Sequence, residues 1–141
     1  MPRTVAALVV GFTRKAGLLN RSFAPLRRLK QAGLIGRILY VTWYRPDLDP
    51  WVAEAGAMPE VELVRVPEPA VSGLPYQQKT FYQTHNIAAA LSLVPDDETL
   101  VFKLRPDQVI EEEFLAAKIA DFEHWSAPSL LAARFDAKLP P

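Results

Sequence analysis

The segment Thr99–Asp107 reads TLVFKLRPD, an apolar run that turns polar and ends in a proline followed by a carboxylate. Its β-branched and aromatic residues predict a buried strand that ends before Pro106, because proline has no N–H to donate to a ladder. Asp107 then follows the carboxyl end of a strand, which in an open parallel sheet is the edge that binds ligands. A carboxylate there is a candidate ligand for a divalent cation that holds a diphosphate. It is also a typical turn or helix-cap residue, and the residue types alone leave both interpretations open.

The composition predicts one compact domain, since a chain of 141 residues that is 50% hydrophobic can bury a core. Its 16 basic and 16 acidic residues cancel and are scattered, which argues against nucleic acid or an anionic membrane as a partner. The chain has no cysteine, which excludes disulfides and thiolate metal sites and fits a cytoplasmic location. No segment approaches the ~20 apolar residues of a membrane span. We interpret the apolar run at residues 5–12 as a first core strand rather than a signal peptide.

Other apolar runs predict the rest of the sheet. Residues 5–10 are continuously apolar and are closed by Gly11, which predicts a central strand buried on both faces. Residues 61–66 alternate between apolar and polar, as in a strand nearer an edge. Further strands are predicted over residues 37–43 and 128–134, and helices over residues 22–32, 51–55, 77–94 and 111–122. This order predicts an α/β fold, Rossmann-like, with a mostly parallel sheet of about five strands flanked by helices.

Two of the predicted helices have sequence signals at their ends. In the first, Ser22 is expected to cap the start and Gly33 to follow the end. Asp49, which precedes a proline, is expected to start the short helix after the second strand. Asp47 and Asp49 form an Asp-x-Asp that could share a metal. The flanking prolines favour a loop and a cap, with a ribose or base contact as the minor alternative.

Several loops are expected to meet at one edge of the sheet. In a parallel sheet this edge would carry the loops at residues 11–14, 44–50, 67–75 and 105–108. Gly11 lets the backbone approach a ligand closely, although a plain turn glycine is as consistent with the sequence. The chain has no Walker phosphate loop and no GxGxxG segment, which argues against kinases, GTPases and dinucleotide-dependent oxidoreductases.

The predicted helix at residues 77–94 has an apolar stripe and a polar start. The stripe consists of Phe81, Ile87, Ala88, Leu91 and Val94. Among the polar residues, Lys79 with Gln83, and Gln83 with Asn86, are spaced to share one helix face. These side chains could bind a base or a sugar, and a solvent-facing helix start is the alternative.

Charged residues alternate at the end of the strand that starts at Thr99. Side chains alternate along a strand, so Lys103, Arg105 and Asp107 are expected to share a face if the strand stays regular. The two cations would keep the carboxylate ionised and would also neutralise phosphate.

Four motifs together resemble a known family. They are a first strand that ends in Gly11, a second that ends in Thr42-Trp43, a helix with Gln83-x-x-Asn86-x-x-x-x-Leu91, and the segment Lys103-x-Arg105-x-Asp107. From about residue 5 to residue 134 the chain resembles bacterial glycosyltransferases of the WavE lipopolysaccharide-synthesis type. More broadly, it resembles nucleotide-sugar transferases with the GT-A fold. The motifs are short, and the last one is the most specific.

The resemblance implies a site. The Lys-x-Arg-x-Asp segment looks like the counterpart of the metal-binding Asp-x-Asp of other GT-A enzymes, which makes Asp107 the implied ligand of a Mn²⁺ or Mg²⁺ ion or of the diphosphate. Arg105 stands where those enzymes have the first Asp, which departs from a two-carboxylate site. The implied donor-binding residues are Gly11, Thr13, Trp43, Lys79, Gln83, Asn86, Lys103, Arg105 and Asp107.

The implied reaction is transfer of a sugar from a nucleotide diphosphate to a hydroxyl of a glycan or a lipid-linked acceptor. Such enzymes continue into an acceptor-binding half, and residues 1–141 are expected to form a single donor-binding domain that stops where that half would begin. No residue is assigned as the catalytic base, and whether this chain alone is an enzyme stays open. The alternative is a non-catalytic α/β interaction module that retains the fold without the chemistry.

Overall fold

A computed structural model describes residues 5–11, 17–44, 49–67, 84–94 and 100–123 of the chain. In chain order the elements are β1 (Val5–Val10), α1 (Leu18–Gln31), β2 (Arg37–Trp43), α2 (Asp49–Gly56), β3 (Val61–Val66), α3 (a helix at residues 84–91), β4 (Leu100–Leu104) and α4 (Glu112–Glu123). The first three strands have the predicted bounds, and α2 begins at Asp49 as expected. The strand predicted over residues 128–134 lies outside the described residues.

The four strands in the described part of the chain are parallel and form one sheet in the order β3-β2-β1-β4. Val10 of β1 pairs with Val41 of β2, and Val9 pairs with Leu104 of β4. β1 lies inside the sheet with all of its residues buried, as the continuous apolar run predicts. The predicted α/β, Rossmann-like fold with a mostly parallel sheet is confirmed, with four strands in the described part of the chain. None of the described helices is long and apolar enough to cross a membrane.

The sheet has two apolar faces, because successive side chains of each strand point to opposite sides. The first face packs under α1, α2 and α4 and includes Val5, Ala7, Val9, Ile38 and Tyr40. The second packs against α3 and includes Leu8, Val10, Leu39 and Val41. Burial of one such Leu, Val or Ile side chain contributes about 1.5–3 kcal/mol, so β1 anchors the layers on both sides of the sheet.

The start of α1 differs from the prediction, and its end does not. The helix begins at Leu18, so the predicted Ser22 cap is wrong; the Ser22 hydroxyl instead donates to the Leu19 carbonyl oxygen, 3.1 Å away, inside the helix. Leu19 is fully buried with the apolar face of α1, and its burial offsets part of the penalty of about 3 kcal/mol for Pro25 within a helix. Gly33 follows the end of α1 with a φ of +81°, as predicted.

Two predictions about burial are wrong. The sequence predicts a buried fourth strand, but β4 is an edge strand of the described sheet whose residues are alternately half-buried and exposed, with Val101 38% exposed. In α3, Ala88 and Leu91 belong to the predicted apolar stripe but are exposed, whereas Asn86 and Ala90 are buried. Which side of α3 is buried depends on how the helix packs against the sheet. Alanines fit on either side of a helix, so the sequence pattern does not predict the buried side.

The carboxylate of Glu60, in the turn before β3, forms hydrogen bonds with two side chains of α1. Glu60 accepts hydrogen bonds from Arg27 Nε at 2.7 Å and from Gln31 Nε2 at 2.9 Å, and its side chain is 16% exposed. Both hydrogen bonds favour the charged carboxylate, and they lower the pKa of Glu60 to about 2.

We expect Glu60→Gln to remove a pH-dependent part of the stability. Because the pKa of Glu60 falls from 4.5 to about 2 on folding, its carboxylate stabilises the fold above pH 4.5, and this contribution is lost as the pH falls toward 2. The difference in free energy of unfolding between wild type and variant is therefore largest at neutral pH and shrinks in acid. Urea denaturation over a series of pH values measures it. Glu113→Gln, at an exposed position of α4, is the control. The same pH profile in both variants would contradict the role of Glu60.

Candidate functional site

One edge of the sheet carries the residues that follow all four parallel strands: Gly11, Tyr44, Pro67 and Arg105. Along the chain β1, β2 and β3 advance in one direction across the sheet, and β4 then lies on the other side of β1. Such a reversal is a topological switch point, and open α/β sheets bind ligands in the crevice beyond the carboxyl ends of the strands there. Gly11 and Arg105 follow the two strands that form this point.

Gly11 follows β1 and lies beside the turn that follows β4. Its φ of +117° lies in the region that favours glycine, and its N–H donates to the Val41 carbonyl oxygen at 3.1 Å. A Cβ at this position would lie 3.6 Å from Cδ of Pro106 in the turn after β4. The backbone conformation thus requires a glycine at the switch point.

A tight turn follows β4. The Gln108 N–H donates to the Arg105 carbonyl oxygen at 3.1 Å, and the Gln108 side-chain Oε1 accepts from the Arg105 N–H at 3.0 Å. Because β4 ends at Leu104, the expected strand alternation does not extend to Asp107. Gln108 is not among the predicted site residues, although Pro106 at the second position of a four-residue turn was a signal for this geometry.

The turn brings Arg105 and Asp107 together in a two-point ion pair. Arg105 Nε lies 2.9 Å from Asp107 Oδ1, and Nη2 lies 2.6 Å from Oδ2. The two side chains are 53% and 38% exposed. Lys103 adds a second cation, and its pKa is lowered by partial burial and by the charge of Arg105, while Asp107 opposes the shift. Among the described residues of β4 and its turn, two cations and one carboxylate give a net positive charge.

The N-terminus of α1 lies at the same edge, since α1 follows β1, and a carboxylate already binds it. Gly17 precedes the helix and supplies no side-chain cap. The Asn20 N–H donates instead to Oε1 of Glu54 in α2, at 3.2 Å. Negative charge is favoured at a helix N-terminus, so Glu54 provides the cap that α1 lacks. An anion bound here would lie beside the negative charge of Glu54.

Two of the predicted donor-binding residues are buried. Trp43, the last residue of β2, is 4% exposed, and Asn86 of α3 is 1% exposed. Asn86 lies one helical turn from the buried Ala90, and its Nδ2 has no hydrogen-bond partner in the described parts of the chain. A ligand can reach either side chain only if the residues around it move. The predicted residues Thr13, Asp47, Lys79 and Gln83 lie outside the described residues.

In the described part of the chain, Asp107 is the carboxylate of the β4 turn that could bind a metal ion. Within residues 5–11, 17–44, 49–67, 84–94 and 100–123, no three His, Cys, Asp or Glu side chains are grouped so that they could hold an ion. Both oxygens of Asp107 are engaged by Arg105. Mg²⁺ is often held by one or two carboxylates together with substrate phosphates and water. Asp107 therefore fits a metal that binds with a diphosphate, and it does not form a metal site by itself.

The sheet and its charged edge define the class of protein, a Rossmann-like α/β domain with a glycine, an arginine and a carboxylate at its topological switch point. Comparison of the chain with protein-family models, with curated proteins and with solved structures found no match. The function therefore has to be inferred from the site itself.

We expect Gly11→Ala to destabilise the domain by about 1–3 kcal/mol, because alanine rarely adopts a positive φ. Gly56→Ala is the matched control. Gly56 is the last residue of α2, and a Cβ there would meet Cδ2 of Leu63 at 3.5 Å, an ordinary contact. This change should be neutral or stabilising by up to about 1 kcal/mol. Urea denaturation measures both free energies of unfolding, and a Gly11→Ala variant as stable as wild type would contradict the strained backbone.

Proposed function

We propose that the chain binds a nucleotide-sugar donor and is the donor-binding domain of a glycosyltransferase that makes cell-surface glycans. The observation that supports this most directly is the position of the Arg105–Asp107 turn, which follows β4 at the switch point and lies beside Gly11. Ligands of open α/β sheets bind in this crevice. The resemblance of Lys103-x-Arg105-x-Asp107 to the metal-binding segment of GT-A enzymes points to the same residues.

Arg105 is the residue that we assign to the donor diphosphate. A guanidinium binds phosphate through two parallel N–H···O bonds, which is the geometry that Arg105 makes with Asp107. Lys103 is close enough for its charge to interact with that of Arg105. The two cations together would offset most of the charge of a diphosphate.

Asp107 is the residue that we assign to a divalent cation, Mn²⁺ or Mg²⁺, bound together with the diphosphate. When bound, the metal would offset the negative charge that develops on the departing nucleoside diphosphate. Arg105 would share this task, because a guanidinium stays charged at every physiological pH.

The proposed reaction transfers a sugar to a hydroxyl of a glycan or a lipid-linked acceptor, and a base has to accept the hydroxyl proton. We assign no residue to that step. We place the reaction in the cytoplasm, since a chain without cysteine fits a reducing compartment.

A second candidate function is a non-catalytic interaction module with the same fold. One observation favours it: two groups at this edge that could bind an anion already have a carboxylate partner in the described part of the chain, because Arg105 binds Asp107 and Glu54 binds the N-terminus of α1. Nucleotide binding separates the two candidates.

Isothermal titration calorimetry with UDP and with GDP, each with and without Mn²⁺, tests the proposal. Wild type is expected to bind at least one nucleotide in the presence of Mn²⁺. Substitution of a residue that only orients a metal ligand lowers metal affinity about 10–100-fold. Asp107→Asn removes the proposed ligand itself, so it should lower the Mn²⁺-dependent affinity for the nucleotide at least about tenfold.

Glu62→Gln is the matched control for this titration. Glu62 forms the same two-point pair with Arg37, with both contacts at 2.9 Å, at the opposite edge of the sheet. The variant should bind nucleotide as wild type does. If wild type binds neither nucleotide under any of these conditions, the donor-binding proposal fails and the interaction module is favoured.

A further inference from the structure

We propose that the Arg105–Asp107 ion pair is a latch that couples the binding of a nucleoside diphosphate to the binding of a divalent cation, so that each ligand raises the affinity for the other. The latch rests on the proposed function and adds a mode of regulation to the same site. Three features carry it: the two-point geometry of the pair, its exposure to solvent, and the turn that holds its backbone.

The two side chains of the latch are in contact in the structure, but the pair can be opened easily. The contacts of 2.9 and 2.6 Å engage both oxygens of Asp107. The side chains are 53% and 38% exposed, and exposed ion pairs contribute little stability in water. Two hydrogen bonds between Arg105 and Gln108 hold the backbone of the turn. The pair can therefore open by side-chain rotation while the turn stays in place.

Asp107 binds a divalent cation poorly while the latch is closed. To do so it has to release Arg105, whose permanent positive charge then remains beside the cation without an anion in contact. The repulsion between these two positive charges lowers the affinity for the cation.

Arg105 binds a nucleoside diphosphate poorly in the absence of the cation, for the reverse reason. The guanidinium leaves Asp107 for the phosphate oxygens, and the carboxylate then remains beside a diphosphate of the same sign. Lys103 offsets only part of this repulsion, because its single charge interacts with Arg105 as well as with Asp107.

Both ligands together remove both repulsions. Arg105 then binds phosphate oxygens and Asp107 binds the cation, so each charge has a partner of opposite sign. Coupling between two ligands is reciprocal and usually changes affinity by about 5–150-fold, and we expect about tenfold from the latch.

The latch predicts that removing one partner raises the affinity for the ligand of the other. Calorimetric titration with Mn²⁺ alone should give about tenfold tighter binding to Arg105→Gln than to wild type. Titration with UDP or GDP alone should give about tenfold tighter binding to Asp107→Asn than to wild type. If the pair only stabilised the turn, both substitutions would leave these affinities unchanged or lower them.

The pair at the opposite edge of the sheet supplies the controls. Arg37→Gln and Glu62→Gln break the same kind of two-point pair away from the switch point and should change neither affinity. Arg105→Lys keeps the positive charge but cannot form the two-point contact. A gain in Mn²⁺ affinity in this variant would show that the two-point contact, and not the charge alone, lowers the Mn²⁺ affinity of wild type.

The outcomes separate the latch from the proposed function. If wild type binds a nucleotide with Mn²⁺ but Arg105→Gln binds Mn²⁺ alone no more tightly than wild type, the latch is wrong and donor binding stands. If wild type binds neither UDP nor GDP with or without Mn²⁺, donor binding and the latch fail together. Gains in both single-ligand titrations, absent from the two controls, would establish the latch.

Discussion

The burial of β1 on both faces is the constraint on which the rest of the structure depends. Its residues are at most 3% exposed, and they pair with β2 on one side and β4 on the other. A strand with no face for water has to lie inside the sheet and has to be covered by helices on both sides. The same two pairings, with β2 on one side of β1 and β4 on the other, create the switch point and place Gly11 beside the turn after β4.

The parts of the fold that could be predicted are those with a local signal. Apolar runs define the bounds of β1, β2 and β3 to the residue. The start of α1 could not be predicted from local signals, because the helix extends past the cap signal of Ser22, buries Leu19 in the core and continues through Pro25. The half-burial of β4 and the buried side of α3 depend on which elements pack beside them. A short sequence pattern does not show which elements these are, so neither feature could be predicted from it.

The candidate site could be predicted in position but not in its charge pairing. The order of elements is enough to place Asp107 after a strand at the ligand-binding edge. Strand alternation predicts two cations on one face with that carboxylate, whereas in the structure the turn pairs Arg105 with Asp107 and leaves Lys103 outside this pair. The contact of Glu54 with the N-terminus of α1 joins positions that are 34 residues apart, so no spacing rule reveals it.

These contacts also bear on where the proposed diphosphate would bind at this edge. Folds of this kind bind phosphate at the N-terminus of the helix after the first strand or in the crevice at the switch point. At α1 an anion would have to displace Glu54 or lie beside its charge. At the β4 turn the competing carboxylate is Asp107, and a divalent cation converts it from a competitor of the phosphate into a ligand in the same complex. Charge balance therefore favours the β4 turn, and an arginine at position 105, in place of a second aspartate, is compatible with the proposed donor site.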